Sequence, residues 1–195
     1  ISFNEHSEEK KISNIIDQID EKSFALVSDA GTPSAYNPGA KLIRALLKNK
    51  KRVVPLPGAS SLTTAYSASG LKKGDFLFLG FPPKKSQEIK LLLNELNHIN
   101  KDIIFFESPL RVGRFLQLLR SEFENSNIMI FREISKLHEE ILLWEPNKAL
   151  PSMNAVKGEF VIIVERSPNS NNMISVSDEE IKSKLKEFVD FGLSG

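Results

Sequence analysis

Two short loops carry residue types that could do chemistry, Ser28-Asp29-Ala30-Gly31-Thr32-Pro33 and Pro55-Leu56-Pro57-Gly58-Ala59-Ser60-Ser61. The first follows the apolar run Phe24-Ala25-Leu26-Val27, the second follows Val53-Val54, and each precedes a helical pattern. That order places both loops at the carboxyl ends of neighbouring strands in an open α/β sheet, where such sheets bind ligands. In the first loop, small side chains, a threonine hydroxyl and backbone amides near a helix N-terminus can hold a polar or anionic group. The same residues also suit a plain tight turn between strand and helix. Neither G-x-G-x-x-G nor G-x-x-x-x-G-K-[ST] is present, so neither a dinucleotide fold nor a P-loop is indicated.

The elements that must position these loops alternate along the chain. Ile12, Ile15, Ile16 and Ile19 recur at helical spacing behind Ser7, a candidate cap. A strand at Phe24–Ser28 follows. Asn37 reads as an N-cap and Pro38 as the first helical residue, ahead of the stripe Leu42, Ile43, Leu46 and Leu47. Arg52–Leu56 is the second strand, residues 60 to 69 a helix closed by Gly70, and Phe76–Leu79 the third strand. Gly80-Phe81-Pro82-Pro83 then breaks the rhythm, because consecutive prolines fix φ and lack amide donors. A domain boundary is placed there. Beyond it come a helix over Ser86–Asn97, a strand at Ile103–Phe106, a helix from Ser108-Pro109 through Leu119 and a strand at Ile128–Phe131. The strands Ile141–Trp144 and Phe160–Val164 follow without regular helices between them, which points to a mixed sheet. The expected fold class is α/β in two domains. Residues 1–79 form a parallel-sheet domain, 80–83 a hinge, 84–166 a mixed-sheet domain, and 167–195 a linker and the start of a helical module.

At 195 residues and 41% hydrophobic content, the chain can bury a core in one large domain or two small ones. Lysine and arginine (26) nearly balance aspartate and glutamate (25), so the net charge of +1 gives no global argument for nucleic acid, membrane or an acidic substrate. Any basic surface must be local. The absence of cysteine excludes disulfides, thiolate metal sites and a cysteine nucleophile, and suits a reducing compartment. No apolar stretch reaches the roughly 18 residues of a membrane span, and no signal peptide is visible. The chain opens on Ile1 and ends at Ser194-Gly195 just after a helical pattern, so both ends read as cut. His6, His98 and His138 lie far apart without ligand-like spacing, so no metal site is expected.

Five stretches carry a likeness to known proteins. They are Ala25–Pro33 with Asn37-Pro38-Gly39, Val53–Gly58, Phe105-Phe106-Glu107-Ser108-Pro109 with Arg111, Arg132-Glu133 with Lys136, and Lys157-Gly158-Glu159-Phe160-Val161. In order and identity this string resembles the tetrapyrrole methylase superfamily of S-adenosylmethionine enzymes, and within it the branch that methylates ribosomal RNA of the small subunit. Tetrapyrrole-modifying members usually carry Gly-Asp-Pro where this chain has Gly31-Thr32-Pro33; the Ser28–Pro33 run is typical of the ribosomal branch. Family members also open with a strand and a glycine loop ahead of the segment matching Ile1. That piece normally supplies a central strand and part of the active cleft, so the resemblance lowers the expectation of activity for the chain as it stands.

The resemblance implies two α/β domains with the cofactor, S-adenosylmethionine, folded in the cleft between them. Carried over by motif, the cofactor-binding residues are Gly31, Thr32, Pro33 and Ala35 in the first loop and Ser60 and Ser61 in the second. The second domain adds Glu107, Ser108, Ile134 and Gly158. Glycine and serine permit the close backbone approach such a site needs. The implied reaction is in-line displacement of the sulfonium methyl by a ribose 2′-hydroxyl of a cytidine in 16S ribosomal RNA. Glu133 is then the candidate for removing or orienting the hydroxyl proton, with Arg132 and Lys136 on RNA phosphate; each also fits a strand-end ion pair. Lys84, Lys85, Arg111 and Arg114 border the expected cleft and are the further RNA-binding candidates. The run Lys48-Asn49-Lys50-Lys51-Arg52 fits a helix C-terminus equally well. A cytoplasmic homodimer, acting on 16S ribosomal RNA or the small ribosomal subunit and away from membranes, is the expected assembly. Two other readings stay open: methylation of a tetrapyrrole carbon, and a noncatalytic RNA- or nucleotide-binding module.

Overall fold

The computed structural model describes residues 8–28, 31–33, 39–71, 74–151 and 157–166. Its elements in chain order are α1 (Glu8–Gln18), α2 (Ala40–Lys48), α3 (Ser61–Ala68), β1 (Phe76–Gly80), α4 (Ser86–Leu96), β2 (Asp102–Glu107), α5 (Pro109–Glu122), β3 (Ile128–Arg132), β4 (Glu140–Trp144) and β5 (Phe160–Val164). The mixed α/β architecture expected from the sequence is present. Five strands form one sheet in the order β1-β2-β5-β3-β4. β1 and β2 run parallel through the α4 crossover, whereas β5 inserts antiparallel between β2 and β3, and β4 closes the far edge antiparallel to β3.

The period of two along each strand sorts its side chains between two covers. Ile103 and Phe105 of β2, with Ile128 and Ile130 of β3 and Ile162 of β5, face α4 and α5, where they meet Leu93, Val112, Phe115 and Leu119. Ile104, Met129, Phe131, Val161 and Ile163 face the other way, under Ala65 and Leu62 of α3. β5 is buried at all of its positions because it has a paired strand on each side and a helical cover on each face. A smaller core joins α1 to α2, with Ile15, Leu42 and Leu46 buried and Ile12, Ile16, Ile19 and Val53 packed around them.

Several expectations need correction. The runs Phe24–Ser28 and Arg52–Leu56 carry no regular secondary structure and pair with no strand among the described residues. Val27, Val54 and Leu56 are accordingly exposed. Apolar β-branched residues favour extended backbone, yet a strand exists only where a neighbour receives its hydrogen bonds. The segment Phe76–Leu79, read as the last strand of a first domain, pairs instead with β2. Helix α3 covers a face of the same sheet. Among the described residues the connector at 80–83 therefore follows a strand that shares one sheet with β2. The caps expected at Ser7, Asn37 and Pro38, the residue Ala35 and the segment 167–195 lie outside the described residues, and α2 opens after Gly39.

Candidate active site

The two glycine loops lie against each other. The Thr32 N–H donates to the Ala59 carbonyl at 2.9 Å, and the Thr32 hydroxyl donates to the same oxygen at 3.1 Å. A Cβ at Gly58 would stand 3.2 Å from Thr32 Oγ1, and one at Gly31, where φ is +70°, would stand 3.3 Å from the Ala59 carbonyl oxygen. Larger residues at either position would force the loops apart, and Gly31 adopts a backbone angle that other residues rarely take. Ser60 then starts α3, its hydroxyl 3.5 Å from the Thr63 N–H as an N-cap acceptor.

Across from these loops stand the carboxyl ends of β2 and β3, and between them is a cavity of about 370 Å³. Gly31, Thr32, Ser60, Ser61, Glu107, Ile134 and Lys136 line it, so seven expected site residues come together from separate parts of the chain. Phe81, Phe106, Ser135 and Glu159 line it as well. The sequence reading missed these four. For Phe81 and Phe106 the signal was position: Phe81 follows the last residue of β1, Phe106 is the penultimate residue of β2, and ligands gather where parallel strands end.

Glu107 is buried, and its two oxygens differ. Oε1 accepts the Ser108 N–H at 2.8 Å, whereas Oε2 accepts no hydrogen bond. Arg111 Nη2 lies 3.1 Å from Oε2 as an ion-pair partner but directs its hydrogens elsewhere, to the carbonyls of Pro82 and Pro83, each at 2.8 Å. Burial pushes the Glu107 carboxyl above its ordinary range, against the opposing pull of the Ser108 N–H and Arg111.

Beyond β3 the chain turns tightly, with Glu133 at φ +50° and Ser135 at φ +65°. Such left-handed residues are costly away from glycine and persist where surrounding bonds hold them. Here Glu133 Oε1 accepts the Glu159 N–H at 2.8 Å and the Lys136 ammonium at 2.9 Å, while the Glu133 N–H donates to the Glu159 carbonyl at 2.9 Å. Gly158, at φ +111°, permits this approach: a Cβ there would lie 2.4 Å from Glu133 Cγ. The Lys136 ammonium and the Glu159 N–H hold the Glu133 carboxyl below the ordinary range, and the two glutamates raise Lys136 above its own.

The other expected residues are placed differently. Arg132 donates to the Lys157 carbonyl at 2.9 Å and pairs with Glu140 at 3.3 Å, bracing the end of the sheet. Arg114 bonds the Ser86 hydroxyl and so ties α5 to the start of α4, and Lys85 pairs with Glu88 at 3.1 Å. Lys84 is exposed beside the connector. Pro33, Ser108 and Gly158 do not line the cavity, although Ser108 and Gly158 fix Glu107 and Glu133, which flank it. Among the described residues no group of three or more His, Asp or Glu side chains could hold a metal ion, and no helix is long and apolar enough to cross a membrane.

This arrangement of sheet, loops and cavity has known counterparts. Residues 2–146 match the family described as Tetrapyrrole (Corrin/Porphyrin) Methylases. The chain belongs to the tetrapyrrole methylase family. Relatives of this chain include proteins named Ribosomal RNA small subunit methyltransferase I. The one from Halalkalibacterium halodurans is 36% identical over 168 residues, covering 85% of this chain and 58% of its own length. The one from Streptococcus pyogenes serotype M3 is 33% identical over 195 residues, covering 98% and 68%. The chain therefore spans less than two thirds of the first relative. In fold, this chain is similar to the methyltransferase CobJ, with a TM-score of 0.60 at 22% identity over 81% of this chain and 71% of that one. It is also similar to a uroporphyrin-III C-methyl transferase from Thermus thermophilus complexed with S-adenyl homocysteine, with a TM-score of 0.53 at 14% identity over 80% and 72%.

Proposed function

We propose that this tetrapyrrole methylase transfers a methyl group from S-adenosylmethionine to the 2′-hydroxyl of a cytidine in 16S ribosomal RNA. The observation that carries the reading is the cavity closed by the Gly31-Thr32 and Ser60-Ser61 loops over Glu107. Its volume of about 370 Å³ falls within the range of small-molecule sites. Its residues fit the cofactor. The glycines bring backbone to the cavity wall, and Glu107 Oε2 is a buried acceptor in need of a donor, as a nucleoside or amino acid moiety can supply. The names of the curated relatives support ribosomal RNA as the acceptor.

Bound there, the sulfonium supplies an activated methyl group. The chain's own contribution is to hold donor and hydroxyl in line, which accounts for on the order of several kcal/mol of barrier reduction. Lys136, paired with Glu133 and Glu159, stands in the cavity wall as a cation that a phosphate, or the negative charge that develops on the ribose oxygen, can share. Glu133 acts through Lys136. Its carboxylate binds protons weakly and is occupied by the fold, which suits a positioning role better than proton removal. Arg111, Arg114 and Arg132 are likewise committed to protein partners, and Lys85 and Lys136 are ion-paired with glutamates, so among these candidates Lys84 is the exposed cation left to RNA phosphate. The proposed working form is a cytoplasmic homodimer.

The test is single-turnover transfer from methyl-labelled S-adenosylmethionine to 16S ribosomal RNA, followed by nucleoside mass spectrometry. 2′-O-methylcytidine is the expected product, and Gly31→Val is expected to lower transfer at least about tenfold by parting the two loops. Label on a base carbon, or no transfer by the full-length protein, overturns the proposal.

A further inference from the structure

The connector between β1 and α4 is held more firmly than a surface turn requires. Pro82 and Pro83 have no amide hydrogens of their own, and both of their carbonyls are taken by one nitrogen of Arg111, at 2.8 Å each. The same nitrogen stands 3.1 Å from Oε2 of Glu107 in the cavity wall. One side chain thus ties the cavity to the connector, and the residue the connector presents is Phe81. The residue lines the cavity and is 46% exposed, and its ring packs at 63° against Phe106, 5.8 Å away between centroids. Phe106 in turn packs edge-on with Phe78 at 4.9 Å. The cavity therefore has an aromatic wall of Phe81 and Phe106 and, elsewhere in its lining, the charged pair Lys136 and Glu159. A flat heteroaromatic group with polar substituents matches both. An aromatic ring held rigid and partly open to solvent is the usual platform for base stacking.

We propose that Phe81 is the ring on which a nucleobase stacks at the cavity, and that Arg111 is the positioning residue that holds it there. The nucleobase is either the adenine of the methyl donor or a base of the RNA. The inference rests on the reading of the chain as a nucleotide-using methylase, and the arms of one calorimetric experiment separate the two. The full chain is titrated with S-adenosylhomocysteine and, separately, with a short oligocytidylate. Phe81→Leu keeps an apolar side chain but removes the π face, and is expected to weaken binding about tenfold in the arm whose base it meets. Arg111→Lys keeps a cation beside Glu107 but falls short of the two carbonyls, so it is expected to weaken the same arm. The double variant is expected to lose little more than either single one, because the two residues act as a unit. A loss confined to S-adenosylhomocysteine assigns the ring to the donor, and one confined to oligocytidylate assigns it to the RNA. Unchanged affinities, or losses that simply add, overturn the inference while leaving the methylase reading intact. A wild-type chain that binds neither probe overturns both.

Discussion

A carboxylate that already accepts an ammonium and a backbone N–H takes up a proton less readily than a free one, and Glu133 is such a group. Because its folded pKa is depressed, its contribution to stability is present above the unfolded value of about 4.3 and is lost as pH falls through the lower folded value. The melting temperature of the wild type is therefore expected to exceed that of Glu133→Gln at neutral pH, with the gap closing below about pH 4. A gap of the same size at about pH 3 would show that the ion pair is not its source. Side chains of this kind were the least legible part of the sequence. Glu133, placed beside Arg132 at a strand end, read as a catalytic base because its partners Glu159 and Gly158 lie far along the chain. Arg111 read as a phosphate contact for the same reason, since nothing local announces that its partners are the carbonyls of Pro82 and Pro83. The glycine loops were legible, because Gly31 and Gly58 are needed where the backbones approach.

Elements with their own hydrophobic period were recovered closely. The isoleucine and leucine spacing of α4 and α5 and the apolar runs of β2, β3 and β5 mark them without reference to the rest of the fold. The segments Phe24–Ser28 and Arg52–Leu56 show the limit of that signal, since an apolar run cannot say whether a neighbour will pair with it. The burial of the strands predicts unequal costs of truncation. Ile162→Ala, in the middle of β5 where Ile162 is fully buried, is expected to cost about 2–5 kcal/mol of unfolding free energy in urea. Ile141→Ala on the outer strand β4, where Ile141 is 52% exposed, is expected to change it by less than about 1 kcal/mol. Equal losses at the two positions would contradict the placement of β5 at the centre of the sheet.

At the scale of the whole molecule, the exposed apolar surface bears on assembly. Among the described residues β4 pairs only with β3, and its residues Ile141 and Leu143 are 52% and 67% exposed on the face they share with Phe131 and Met129. Edge strands with uncovered apolar faces invite a second chain. Light scattering is expected to give about twice the 21.9 kDa mass of one chain, and Ile141→Glu together with Leu143→Glu to return it to the single value. A wild-type mass of one chain at high concentration would refute the homodimer. The sequence reading put Phe76–Leu79 in a first domain ahead of the connector. β1 precedes the Pro-Pro connector in the chain but joins the sheet that follows it, a matter of pairing that composition does not encode.

The insertion of β5 between β2 and β3 has a consequence during synthesis. Ile103 pairs with Val164 and Ile128 pairs with the same residue from the other side, so the two earlier strands wait for β5 before either gains its inner neighbour. While the chain is still emerging from a ribosome, β2 and β3 each present an open apolar edge, and the sheet closes only when residues 160–164 have cleared the exit tunnel. Long-range pairing of this kind slows folding and leaves sticky intermediates. A newborn copy of this chain thus exposes both inner edges until β5 arrives.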